Sequence, residues 1–95
     1  MSETAVVLIG CRIDAITGAA EAIAALEGVS EVFSVAGAHD LVAVVRVRQH
    51  ADLARVIPDA IAKVDGVERT ETLIAFEVFS RHDLERMFSL GFEEA

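Results

Sequence analysis

The sequence feature that most constrains the fold is a short internal repeat. Residues 26–31 are Leu-Glu-Gly-Val-Ser-Glu, and 38 positions later residues 64–69 are Val-Asp-Gly-Val-Glu-Arg. In both copies a glycine closes a stretch with apolar residues at helical spacing, and a valine then opens an apolar run. A helix-to-strand junction that occurs twice predicts two similar halves, each with a helix followed by a strand.

Hydrophobic periodicity assigns an element to each part of these halves. We predict strands over 5–13, 29–36, 41–48 and 67–79, and helices over 14–26, with Asp14 as a cap, and over 51–64. Pro58 lies inside the second helix, which therefore kinks there, or breaks and restarts. A last helix is predicted over about 81–92.

The order βαββαβ with a C-terminal helix predicts an α+β fold of the ferredoxin-like type. In this fold an antiparallel sheet carries both main helices on one face, and the other face stays bare. We expect a single domain over 1–95, with its core within 4–80.

Both faces of the predicted sheet are rich in apolar residues. The first strand is apolar on both sides. In the third strand one face is formed by Leu41, Ala43, Val45 and Val47, and the other by Val42, Val44, Arg46 and Arg48. Because no helix would cover the bare face, we expect a second copy to cover it, sheet against sheet, in a dimer.

Composition supports an oligomer and narrows the function classes. Hydrophobic residues are 54% of the chain and mean hydropathy is +0.49, more apolar surface than a monomer of 95 residues readily buries. Sixteen acidic residues against eight basic ones give a net charge of −8, which disfavours direct binding to DNA and to anionic membranes. A single cysteine, a start without a basic signal region and the lack of a long apolar stretch favour a cytoplasmic protein.

The sequence contains no recognisable catalytic constellation. It has no nucleophile-elbow motif, no P-loop and no Cys-x-x-Cys pair, and His39, His50 and His82 are not at metal-ligand spacing. Cys11 lies in the most apolar strand and is interpreted as a buried structural thiol. We therefore expect no catalytic residue, no metal and no cofactor.

Two short segments could bind a small molecule. In the turn Gly37-Ala38-His39-Asp40, the glycine can adopt positive φ and the aspartate can accept hydrogen bonds from an ammonium group or from its own loop. Thr70 and Thr72 point to one side of the fourth strand, where their hydroxyl groups could bind a carboxylate or bridge to a neighbouring strand.

The same segments resemble the effector-binding (RAM) domain of the Lrp/AsnC family of transcriptional regulators. Residues 28–45 are similar to its Gly-Val opening, strand, G-x-x-D turn and apolar strand, and residues 66–72 to its G-V-x-x-T-x-T entry. The resemblance implies dimers that assemble into octamers or similar rings, with amino-acid effectors bound between dimers. By position, the implied ligand-binding residues are Gly37, Ala38, His39, Asp40, Thr70 and Thr72.

The sequence therefore favours a non-enzymatic, amino-acid-responsive oligomerisation module that lacks the family's helix-turn-helix domain. Full-length regulators of the same family are implied as further partners. Ala36 and His39 depart from the threonine and the aromatic residue common in the family, which alters the wall of the site. One alternative is a dimeric ferredoxin-like-barrel enzyme such as a small monooxygenase, which the apolar first strand disfavours. The other is a purely structural oligomerisation domain.

Overall fold

The structure, a computed structural model, describes residues 2–81 and confirms the ferredoxin-like order. Two 3₁₀ turns, Ile13–Ala15 and Ile61–Lys63, accompany the main elements. The elements are β1 (Glu3–Cys11), α1 (Ile16–Ala24), β2 (Val29–Ser34), β3 (Leu41–Val47), α2 (Asp52–Val56) and β4 (Val67–Ala75). The C-terminal helix predicted over about 81–92 lies almost wholly outside the described residues.

The four strands form one antiparallel sheet in the order β2-β3-β1-β4. β1 is therefore hydrogen-bonded on both sides: Val7 lies opposite Ala43 of β3 and opposite Thr72 of β4. Residues directly opposite each other in an antiparallel pair project to the same face, so this register decides which side chains lie together.

The core lies between the sheet and the helices. β1 and β3 contribute alternate residues that are fully buried, and Ile23 of α1 and Ile61 of the second 3₁₀ turn pack against them. The strand residues concerned are Ala5, Val7, Ile9, Leu41, Ala43 and Val45. Their removal from water is the main favourable term in folding. The predicted alternation of β3, with Leu41, Ala43 and Val45 on the buried face, is confirmed.

The opposite face of the sheet, here called the open face, is apolar but incompletely buried. It comprises Val6 and Leu8 of β1, Val42 and Val44 of β3, Phe33 of β2 and Leu73 of β4. Phe33 and Leu73 are 48% and 50% exposed. The buried core residues of α1 and α2 pack on the other side, as the sequence predicted.

The strand ends differ from the sequence predictions because hydrogen-bonding partners set them. β4 was expected to reach Phe79 but ends at Ala75, which lies opposite Thr4 near the start of β1. Phe76 follows beyond this pairing and is 99% exposed. β1 ends at Cys11, and the next backbone N–H, that of Arg12, donates to the carbonyl of Gly66 at 2.8 Å. β2 and β3 also end one or two residues earlier than predicted.

The helices are shorter than predicted. α2 covers only Asp52–Val56, because proline at 58 supplies no backbone N–H, and the chain resumes helical turns at Ile61. The break-and-restart alternative is therefore the one observed. Asp14 does not cap α1; its carboxylate accepts a hydrogen bond from Arg12 Nε at 2.9 Å instead. No helix among residues 2–81 is long and apolar enough to cross a membrane.

The two glycines of the repeat have the same backbone conformation. Gly28 and Gly66 both have φ of 94°, in the left-handed region of backbone conformation that residues with a Cβ rarely adopt. A Cβ at Gly66 would also overlap the side chain of Ala15, at the start of α1. Each junction thus requires glycine, and the repeat in the sequence corresponds to a repeat in geometry.

We predict that Gly66→Ala lowers the free energy of unfolding by about 2–4 kcal/mol, from backbone strain and the overlap with Ala15. Gly18→Ala is the matched control, since no atom lies near its Cβ position and alanine favours the helix by about 0.5–1 kcal/mol. Equilibrium unfolding in urea measures both. A Gly66→Ala protein as stable as the parent would contradict the proposed constraint.

Candidate ligand site at the turn between β2 and β3

The turn 37–40 is closed onto the central strand. The N–H of Val35 donates to the carbonyl of Asp40 at 3.0 Å, and the N–H of Asp40 donates to the carbonyl of Ile9 at 2.9 Å. Gly37 has φ of 130°, as expected for the glycine of this turn. These bonds hold the turn against the C-terminal end of β1.

The carboxylate of Asp40 bonds to β1 as well. Its Oδ2 accepts a hydrogen bond of 2.8 Å from the N–H of Cys11. The register of β1 against β4 shifts between Gly10 and Cys11, so this N–H lies at an irregularity of the sheet. Asp40 therefore has a structural role within its own chain, and its second carboxylate oxygen forms no hydrogen bond with residues 2–81.

The other turn residues contact the start of β4. Arg69 Nη2 donates to the carbonyl of Ala38 at 3.2 Å, and His39 Nε2 lies 3.9 Å from Glu71 Oε2. The guanidinium of Arg69 lies across Gly10, where a Cβ would overlap it. His39 Nδ1 is buried and has no hydrogen-bond partner among residues 2–81.

The register separates the two predicted groups of site residues. Thr70 and Thr72 lie opposite Ile9 and Val7, on the face that carries the helices. Arg69 lies opposite Gly10 and Glu71 opposite Leu8, both on the open face. Within one chain the turn is thus brought together with Arg69 and Glu71, whereas the threonines lie on the other face of β4.

Sequence reasoning missed Arg69, Glu71 and Gly10 as neighbours of the turn. The signal was present in Gly-Val-Glu-Arg-Thr-Glu-Thr, because period-two alternation puts Arg69 and Glu71 on the face opposite the threonines. Only the pairing with β1 shows that the turn approaches the Arg69 side rather than the threonine side.

Comparison with known proteins places this arrangement in a family. Residues 4–84 match the family described as the Lrp/AsnC ligand binding domain. The chain belongs to this family. The turn at 37–40 and the start of β4 are therefore parts of an Lrp/AsnC ligand-binding domain, as the resemblance of the two motifs implied.

Its relatives include transcriptional regulators. The uncharacterized HTH-type transcriptional regulator PH1916 of Pyrococcus horikoshii is 39% identical over 57 residues, which are 60% of this chain and 38% of that protein. The matched part of this Lrp/AsnC domain thus spans less than half the length of the curated relatives.

Solved structures share the fold. TTHA0845 from Thermus thermophilus has 47% identity and a TM-score of 0.78, and the match covers 83% of this chain and 99% of that one. The transcriptional regulator NMB0573 of Neisseria meningitidis, solved as a complex with L-Met, has 15% identity and a TM-score of 0.74, with 83% and 53% covered.

The thiol of Cys11, whose backbone N–H donates to Asp40, is expected to be unreactive in this Lrp/AsnC domain. Its side chain is buried, and burial raises the pKa of the thiol, with further increases from the carboxylates of Asp40 and Glu68. Arg69 acts in the opposite direction on this pKa. The neutral thiol is favoured, which agrees with the interpretation of Cys11 as a structural residue.

We predict that Asp40→Ala lowers the free energy of unfolding by about 2 kcal/mol, because the N–H of Cys11 loses its acceptor. Asp40→Asn is the matched variant: its amide oxygen accepts the same bond, and the cost is at most about 1 kcal/mol. Urea unfolding of both proteins checks this. Equal losses in the two variants would show that the hydrogen bond is not what stabilises the end of β1.

Proposed function

We propose that this chain is an amino-acid effector-binding and oligomerisation module of the Lrp/AsnC type, without catalytic activity. The observation that carries the proposal is the turn 37–40, which is fixed to β1 by Asp40 and flanked on the open face by Arg69 and Glu71. The effector is held against this turn, with Gly37, Ala38, His39 and Asp40 as contact residues.

The charges beside the turn suit an amino acid. A free α-amino acid is a zwitterion, so its site needs hydrogen-bond donors for the carboxylate and acceptors for the ammonium group. Arg69 is a permanent cation, and Glu71 and the second oxygen of Asp40 are acceptors. Arg69 and Glu71 are two residues apart on one face of β4, roughly 7 Å along the strand.

The position of Thr70 and Thr72 in the sheet limits where a ligand could contact them. They lie on the helix-bearing face of β4, an edge strand of the sheet. A ligand that touches both the turn and these threonines must lie at the free edge of β4 or between two copies of the chain. The second arrangement is the site between subunits that the resemblance to the Lrp/AsnC family implied.

The open face supports the oligomeric part of the proposal. Six apolar side chains from all four strands form one surface that the helices leave uncovered: Val6, Leu8, Phe33, Val42, Val44 and Leu73. We propose that two copies bury these faces against each other, and that such dimers form octamers or similar rings through effector-binding contacts.

Relatives support a regulatory context. The Pyrococcus horikoshii relative is named as an HTH-type transcriptional regulator, and the Neisseria meningitidis regulator of the same fold was solved with L-Met. We propose that this chain senses an amino acid and assembles with itself or with full-length regulators of its family. A second candidate, a purely structural oligomerisation domain, is favoured by the open face alone.

A thermal-shift screen against the twenty amino acids tests the binding function. An effector at 100 times its Kd adds about 2.7 kcal/mol per site, which raises Tm measurably. We expect a selective shift that Arg69→Gln abolishes and Lys63→Gln preserves, since Lys63 is an exposed cation in the second 3₁₀ turn. Failure of every amino acid to shift the parent Tm would favour the structural alternative.

Substitution on the open face tests the dimer. Val44→Glu puts a charge at the middle of this surface, and we expect the mass from light scattering to fall towards that of a single chain. Ala54→Glu, on the exposed side of α2, is the matched control and should keep the parent mass. A Val44→Glu protein with the parent mass and fold would refute the assignment of the open face as the dimer contact.

A further inference from the structure

The exposed apolar side chains of this chain are concentrated at the end of β4 and just beyond it. Among residues 2–81, five of the eight large apolar side chains that are exposed lie within 73–79: Leu73, Ile74, Phe76, Val78 and Phe79. Phe76 is 99% exposed and Phe79 is 76% exposed. Residues 76–79, here called the β4 extension, have no part in the proposed effector site and lie outside the open face.

The β4 extension has the sequence of a strand but no strand beside it. Its residues are Phe-Glu-Val-Phe, and aromatic and β-branched side chains favour strands. The pairing of β4 with β1 ends at Ala75, opposite Thr4, and no backbone hydrogen bond joins residues 76–79 to another strand of residues 2–81. The extension therefore combines exposed apolar side chains with free backbone donors and acceptors, which is what a segment needs to pair with the edge of a sheet.

The outer edge of β2 is free to accept such a segment. β2 is the first strand in the sheet order, and β3 is the strand that pairs with it among residues 2–81. The N–H of Val35 donates to the carbonyl of Asp40, on the β3 side. Because N–H groups alternate in direction along an antiparallel strand, those of Val32 and Ser34 point to the outer edge. β2 carries one charged residue, Glu31, so few charges oppose pairing there.

The β4 extension cannot pair with β2 of its own chain. In the order β2-β3-β1-β4 the two edge strands are separated by three strand spacings, roughly 14 Å. A second copy packed on the open face brings its own β2 close to the end of β4, because Phe33 of β2 and Leu73 of β4 both lie on that face. Where two sheets pack with their strands crossed, strands pass from one sheet to the other at the corners.

We propose that the β4 extension of one copy pairs with the outer edge of β2 in a second copy, an inference that rests on the proposed sheet-to-sheet dimer. Two-fold symmetry makes the pairing reciprocal, so both extensions and both β2 edges gain partners together. The apolar side chains of each extension are covered by the partner in the same step. Pairing of β4 with β4 of the partner is disfavoured by Glu68, Arg69 and Glu71 along that edge and would leave both β2 edges free.

Amide hydrogen exchange of the full ¹⁵N-labelled chain, followed by NMR, tests the pairing at β2. In the parent, the N–H groups of Val32 and Ser34 should exchange at least about tenfold more slowly than in Val44→Glu, because each gains an acceptor from the partner. The N–H of Phe33 points to β3 within its own chain and is the internal control, protected in both proteins. Equally fast exchange of Val32 and Ser34 in a dimeric parent would overturn the proposal.

Nuclear Overhauser spectra of a sample that mixes labelled and unlabelled copies identify the partner directly. Spectra filtered for contacts between copies should connect protons of the β4 extension with protons of β2. Contacts of the extension with residues 82–95 of its own chain, in place of contacts between copies, would show that the chain covers its own extension and would refute the pairing.

Substitutions in the extension measure its share of the dimer affinity. Phe76→Ser combined with Phe79→Ser should raise the Kd of the dimer at least about tenfold in analytical ultracentrifugation, with the fold of the single chain kept because both side chains are exposed in it. Ile13→Ser is the matched control, since it removes a side chain that is 90% exposed beyond the opposite end of β1. An unchanged Kd in the double variant, with a dimer that Val44→Glu still dissociates, would reject the extension and leave the open-face contact standing. A monomeric parent would reject both.

Discussion

The structure depends on the burial of β1. This strand is hydrogen-bonded on both sides and is apolar on both faces. Its side chains are therefore removed from water completely only when both faces of the sheet are covered. The helices cover one face and bury Ala5, Val7 and Ile9 completely. The chain supplies no further helix within residues 2–81 for the other face, and this imbalance is the physical basis of the proposed dimer.

Much of this architecture could be predicted from residues alone. The repeated glycine-valine junctions specified the two halves, and the structure gives Gly28 and Gly66 identical φ values. Alternation along β3 identified the buried face correctly. Element ends could not be predicted, because they depend on partners: β4 ends where its pairing with β1 ends, at Ala75 opposite Thr4, and α2 stops where Pro58 removes a donor.

The candidate site was only partly predictable for the same reason. Local chemistry singled out the turn, and Asp40 was left with two possible roles. Which role it has in one chain depends on the N–H of Cys11, 29 positions earlier, and no local pattern shows that contact. The approach of Arg69 to Ala38 likewise follows from the strand order, since β4 lies next to β1 and the turn folds over the end of β1.

The shortness of β4 relative to its apolar sequence has a consequence for solubility. Among residues 2–81 no strand pairs with the outer edge of β4, and an unpaired edge can form hydrogen bonds with strands of other molecules. In its first half the charged residues Glu68, Arg69 and Glu71 disfavour the pairing of another strand. The segment from Leu73 to Phe76 has no charged residue, and the next one is Glu77. Aggregation of the isolated chain would therefore begin at the second half of this edge, where exposed apolar side chains follow one another without a charge.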